Sequence, residues 1–179
     1  MQEILNSNTL PLHEMLTSQG NILYDYSFKN AVLLVFLRHF GCTFCRESVA
    51  EIAKKQISIQ EKGFKIVFVH MSDQAEAVKF FKKYKIKNPE YISDPSQIYY
   101  TKFGLGKGTL KQLFGFKTWY RGFDAGVLNG HGIGRLMGDG LQMPGVFILL
   151  DGEIKSQFIH NSVADQPNYS ELMDCCIRI

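Results

Sequence analysis

Two short apolar runs rich in β-branched residues, 31–37 (AVLLVFL) and 64–70 (FKIVFVH), constrain this chain more than any other feature. Neither alternates polar with apolar residues along its length, so each reads as a strand covered on both faces, the pattern of a parallel sheet's interior. Parallel neighbours need a long crossover, and the intervening residues supply one. Residues 45–62 contain no proline, carry Val49, Ile52, Ala53, Gln56 and Ile59 at helical spacing, and stop at Gly63. The spacing therefore predicts a β-α-β unit.

The alternation continues. Ser72 or Asp73 is placed to cap a helix through Ala77, Phe80, Phe81 and Tyr84, with Glu76 near its positive end and lysines at its close. Such a helix returns the chain to the sheet. Asp94-Pro95 opens a short helix over 96–103 that Gly104 stops, and 109–120 has the composition of another. Residues 121–141 hold seven glycines in 21 positions, which predicts a long surface loop; taken as 121–143, it is an insertion within one domain spanning 1–179. Beyond it, 145–150 and 153–159 flank Asp151-Gly152, a strong hairpin signal, and a helix over about 169–176 closes the chain. Parallel units first, then an antiparallel hairpin and a helix, is the order of a thioredoxin-like α/β sandwich, a mixed central sheet flanked by helices.

With 179 residues, 45% hydrophobic and 21% charged, the chain has the composition of an ordinary globular domain rather than a disordered one. Its net charge of +3 is spread among interleaved acids and bases, which argues against a nucleic-acid footprint. Residues 1–20 carry Glu3, His13 and Glu14 and lack both a basic start and an apolar segment, so no secretory signal is read there, and the longest apolar run is too short for a membrane span. A cytoplasmic location is the expectation.

Four cysteines are too few to staple a fold of this size, so the pair spaced as Cys42-Thr43-Phe44-Cys45 points to redox or metal chemistry. The motif falls between a buried strand and its helix. A thiol at a helix N-terminus faces unpaired N–H groups and the positive end of the dipole, which favour thiolate. Cys42 is thus expected to have a lowered pKa and to act as nucleophile, with Cys45 one turn deeper as the resolving thiol. Arg38, His39 and Arg46 add positive potential, His39 is a candidate proton shuttle, and Glu47 is a candidate for taking the proton of the deeper thiol. Zinc is the alternative use of a C-x-x-C, but adjacent Cys175 and Cys176 splay their side chains and make a poor second half of a tetrahedral site. In the glycine-rich stretch, His131 and Arg135 are candidates to fold over the site, while Trp119, Tyr120 and Phe123 read as packing at its base. Residues 104–108 (GLGKG) lack the spacing of a phosphate-binding loop.

Four segments together resemble a known group: FLRHFGCTFCRE (36–47), ISDPS (92–96), YTKFGL (100–105) and QMPGVFIL (142–149). They are similar to the peroxiredoxin-like proteins of the alkyl hydroperoxide reductase/thiol-specific antioxidant superfamily, nearest to the peroxiredoxin-like 2 and selenoprotein-L-like branch. The resemblance covers about residues 22–176. It implies a thioredoxin fold and an antioxidant or redox-regulatory activity, with Cys42 where peroxiredoxins keep their peroxidatic cysteine. Two positions depart from the peroxiredoxin pattern, His39 where Thr or Ser is usual and Pro144 where an arginine is usual. Met143-Pro144 instead resembles the cis-proline segment that thioredoxins set against their dithiol to bind substrate.

The expected function is a thiol-disulfide redox protein, with a peroxiredoxin-like hydroperoxide reductase and a non-catalytic redox sensor or interaction module as alternatives. The expected partners are a disulfide or hydroperoxide substrate and a thioredoxin- or glutathione-type reductant, without nucleic acid or membrane, and a homodimer is left open. No metal, flavin or nucleotide is needed for this chemistry.

Overall fold

The computed structural model describes residues 10–109, 139–162 and 165–177. The two apolar runs form β1 (Ala31–Phe36) and β2 (Phe64–His70), joined by the crossover helix α2 (Thr43–Glu61). They pair in parallel, with Leu33 opposite Ile66 and Val35 opposite Phe68. A second crossover, α3 (Gln74–Lys83), leads to β3 (Glu90–Ser93), parallel to β2. On the other side of β1 lie β4 (Gly145–Leu150) and β5 (Glu153–Ile159), both antiparallel, giving the order β3-β2-β1-β4-β5. Helices α1 (Leu23–Lys29), α4 (Ile98–Lys102) and α5 (Tyr169–Ile177) complete the described elements.

Because β1 is central, alternate residues feed two separate cores. Leu33, Val35 and Leu37 pack with Val49 and Ile52 of α2, Phe80 and Phe81 of α3, and Tyr169 and Met173 of α5. Val32, Leu34 and Phe36 pack on the opposite face with Leu12, Met15, Leu23, Tyr100 and Phe103. Two-sided burial is what the unbroken apolar runs required.

Local signals act where the residue types place them. Asp73 caps α3, its Oδ1 accepting from the Glu76 N–H at 2.8 Å. Asp151 and Gly152 both have positive φ, 54° and 73°, the two-residue turn that matches strand twist. The Gly152 N–H donates to Ser27 Oγ at 2.9 Å, which ties the hairpin to α1. The short helix is shorter than the 96–103 expected: Gln97 adopts φ 61°, and the Asp94 carboxylate accepts from the N–H groups of Ile98, Tyr99 and Tyr100, so regular structure starts only at Ile98. A further departure concerns the Met143–Pro144 peptide, which its resemblance to the thioredoxin segment implies to be cis. It is trans, like every peptide bond among the described residues. The chain ahead of it is held by Met143 N–H to Gly106 O at 3.1 Å and by Gln142 Nε2 to Leu105 O at 2.8 Å. It then enters β4 at Gly145, opposite Phe36. The helix expected over 109–120, apart from Thr109 itself, and the greater part of the glycine-rich stretch, with Trp119, Tyr120, Phe123, His131 and Arg135, lie outside the described residues.

Candidate functional site

Beyond β1 the chain must turn before α2 can begin. The Leu37 N–H still bonds Val69 O at 2.8 Å, and the Tyr100 hydroxyl donates to the carbonyls of Leu37 and Val69, clamping the ends of the two central strands together. Residues 38–41 then form a turn in which the Cys42 N–H reaches His39 O at 3.0 Å. Arg46 braces this turn from the first turn of α2, its Nε donating to Phe40 O at 2.8 Å. Cys42 is the N-cap residue, with extended backbone, and its carbonyl accepts from Arg46 N–H.

Cys42 and Cys45 are both reduced and nearly enclosed, 6% and 4% exposed. The Cys45 sulfur accepts the Arg38 N–H at 3.2 Å, and Arg38 Nη1 lies 3.8 Å from Cys42 Sγ. The same guanidinium donates through Nη2 to Gly140 O, linking the dithiol to the segment that leads into β4. Hydrogen bonding from the Cys45 thiol, reinforced by the positive charge of Arg38, outweighs burial and brings the Cys42 pKa from 9.0 down to about 6. Cys45 is pushed the opposite way by holding that bond to Cys42 and by burial. The two thiols are therefore distinct, one a thiolate at neutral pH and the other a protonated donor.

The surrounding candidates separate by geometry. His39 is buried and neutral, its pKa lowered to about 4 by burial and by the charges of Arg38 and Arg46. Glu47 is engaged away from the thiols, since its Oε2 accepts from Gln166 Nε2 at 3.1 Å, while Ser48 Oγ donates to Gln166 Oε1 at 3.1 Å. Met143 packs in the same core as the cysteines, and Pro144 lines the cleft beside them. That cleft is also lined by Phe44, Ser48, Val146, His160, Asp165 and Tyr169 and has about 10 Å³ of room, enough for about one water. Sequence reasoning missed His160, Asp165 and Tyr169. The one available signal was a histidine closing the last strand, and nothing in the sequence says that β5 ends beside the dithiol. Among the described residues no group of three or more His, Cys, Asp or Glu side chains could hold a metal ion. None of the described helices is long and apolar enough to cross a membrane.

A mixed sheet with a cysteine pair at the head of the helix that follows its central strand defines a protein of the thioredoxin fold. The AhpC/TSA family model matches residues 8–155, and the chain belongs to that family. It is 31% identical over 161 residues to the prostamide/prostaglandin F synthase of Danio rerio, covering 80% of this chain and 73% of that one. It is 28% identical over 129 residues to peroxiredoxin-like 2A of Homo sapiens, covering 70% of this chain and about half, 52%, of the human protein. Among solved structures, peroxiredoxin 6 of Arenicola marina (a C45S mutant) superposes with a TM-score of 0.67 at 14% identity, covering 97% of this chain and 71% of that one. A yeast mitochondrial 1-Cys peroxiredoxin, described as resolved through glutathione/thioredoxin systems, superposes with a TM-score of 0.64 at 16% identity over 97% of this chain and 74% of that one. At those identities the structural likeness is one of fold.

Proposed function

We propose that this chain is a thiol-disulfide oxidoreductase in which Cys42 is the nucleophile and Cys45 resolves. The observation that carries the reading is the asymmetry of the pair: Arg38 Nη1 stands 3.8 Å from Cys42 Sγ at the start of α2, while Cys45 Sγ meets the backbone N–H of Arg38, at 3.2 Å, rather than its charge. The Cys42 thiolate attacks an oxidised sulfur, forming a mixed disulfide and releasing a thiolate. Cys45 then attacks Cys42, expels the second substrate thiolate and leaves the Cys42–Cys45 disulfide. A thioredoxin- or glutathione-type thiol restores the dithiol. Pro144 lines the cleft beside Cys42, and an extended substrate meets the chain there, with Met143 buried behind it.

Hydroperoxide as the oxidant is the second reading, favoured by family membership and by the guanidinium beside Cys42, which can polarise an O–O bond where the usual arginine position is taken by Pro144. Cys42 then becomes a sulfenic acid, and condensation with Cys45 gives the same disulfide and water. His39, Arg46 and Glu47 support the site indirectly, through the turn and its charge.

The test is a titration of the pair in glutathione buffers, read by thiol alkylation and mass spectrometry in wild type and Cys42→Ser. A reversible couple within the roughly −120 to −270 mV range of dedicated thiol oxidoreductases is expected. Failure to form the bond at any cellular poise refutes the reading and leaves a binding role, for which a Cys42→Ser, Cys45→Ser protein keeps its partner.

A further inference from the structure

Closing the Cys42–Cys45 disulfide releases a proton from Cys45 that neither sulfur can retain, and the dithiol is shut away from bulk water. Three buried histidines lie near this end of the sheet. His70 is enclosed by Phe40, Phe81 and Tyr91 and does not line the cleft. His39 faces two arginines, whose charges oppose any proton it accepts. His160, at the close of β5, is the one that lines the cleft together with both cysteines.

Its place in the cleft offers an acceptor, although burial opposes the charge it would take, so any proton it receives is held only in passing. The Pro144 carbonyl takes a hydrogen bond from the ring, whereas Nδ1 is buried with no partner. That arrangement assigns the ring proton to Nε2 and leaves the Nδ1 lone pair as an acceptor. Asp165 stands beside the ring and favours its charged form, and no cation is set against it there, whereas at His39 Arg38 and Arg46 oppose what Asp139 favours. The Asp165 carboxylate is itself fixed, its Oδ2 accepting from Asn161 N–H at 3.1 Å and Ser162 N–H at 2.8 Å. Burial keeps the imidazole neutral down to about pH 4, so it is an unprotonated base throughout the physiological range. The other titratable groups around it are Cys42 and Cys45 at the head of α2 and Tyr169 at the head of α5.

We propose that His160, supported by Asp165, is the proton relay that receives the Cys45 proton through a single water in the cleft as Cys45 attacks the oxidised Cys42. The inference rests on the dithiol reading above. In the step, the Cys45 S–H bond breaks and its electron pair forms the S–S bond. The bond from Cys42 to the outgoing thiolate, or to the hydroxyl of a sulfenic acid, breaks with its pair. The proton held by His160 then passes to the leaving group or to solvent. The oxidant is the disulfide or hydroperoxide already named.

An aromatic disulfide, 5,5′-dithiobis(2-nitrobenzoate), applied to a Cys175→Ser, Cys176→Ser background in which every variant below is made, separates the steps, since attack by Cys42 releases one coloured thiolate and resolution by Cys45 releases the second. With His160→Gln the first release keeps its wild-type rate. The second slows about a hundredfold between pH 6 and 8, the low end of the usual range for loss of a proton-transfer group. Its rate climbs with pH where the wild-type rate is flat, and added imidazole restores part of it. Asp165→Asn, which retains a side-chain acceptor for the turn, slows the same phase several-fold and serves if His160→Gln does not fold. An unchanged second phase in a folded variant overturns the relay and leaves the dithiol reading standing. If the Cys175→Ser, Cys176→Ser protein with His160 intact releases only one equivalent, the dithiol reading is refuted, and the relay with it.

Discussion

Replacing Arg38 with methionine keeps most of the side-chain volume and removes the charge nearest to Cys42. At 3.8 Å, a unit pair interacts by about 4 kcal/mol at an effective dielectric of 20 and by about 1 kcal/mol in water. Arg38 is partly exposed, so the true value lies between, and some of it is offset because hydrogen bonding from Cys45 remains the larger influence. A loss of about 1.4 kcal/mol or more moves the Cys42 pKa from about 6 to about 7 or above. The thiolate fraction at pH 7 then falls from about nine-tenths to about one-half or less, and near pH 6 alkylation slows about fivefold. The assay is the pH dependence of iodoacetamide labelling, with Cys42 and Cys45 resolved by peptide mass spectrometry. Arg38→Lys, which keeps the charge without the fork, falls between the two. A Cys42 titration that stays within about 0.2 units of wild type in Arg38→Met, with the fold intact, refutes the electrostatic argument.

Cys45→Ala removes the strongest support of the thiolate, so the Cys42 pKa rises from about 6 toward 9.0, and the mixed disulfide persists as an added mass in intact-protein spectra. Tyr100→Phe strips the hydroxyl that bridges Leu37 O and Val69 O and is expected to cost about 1–2 kcal/mol, read as a lower urea midpoint. Acid should destabilise the fold over a defined window. His39, His70 and His160 have folded pKa values near 4 against 6.5 unfolded, so between those values the unfolded chain binds more protons and stability falls as pH drops from 6.5 toward 4. The depressed Cys42 pKa acts in the same direction between 9.0 and about 6. Urea midpoints measured from pH 4 to 9 test both, and His70→Phe should flatten the acidic limb without altering the thiol limb.

The fold was legible wherever a local pattern coincided with its tertiary use. The runs at β1 and β2 carried their own evidence of two-sided burial, Asp73 and Gly63 bounded helices through backbone chemistry that acts within a few residues, and Asp151-Gly152 specified its turn by φ alone. The cysteine pair was legible for the same reason: its position between a strand and a helix puts Cys42 at a dipole end. Strand β3 was not, because four residues are too few for a period, and its Glu90 gains its place from Thr17 and Asn21, each 2.7 Å from Oε1 and about seventy residues distant in sequence. The trans Met143–Pro144 peptide and the diversion of Glu47 to Gln166 also depend on partners supplied by other segments.

Short-range chemistry written in the sequence thus determined the β-α-β frame, the hairpin and the identity and spacing of the thiols. The sequence also pointed to Cys42 as the thiolate, but only the tertiary structure supplied the guanidinium and the thiol hydrogen bond that lower its pKa, and the cleft into which the proton of the other can go. Thiol pKa values answer to charges and hydrogen bonds within a few ångströms, whatever their separation along the chain. Arg38 reaches back over the dithiol to Gly140, and β5 returns His160 and Asp165 to a cleft whose cysteines lie more than a hundred residues earlier.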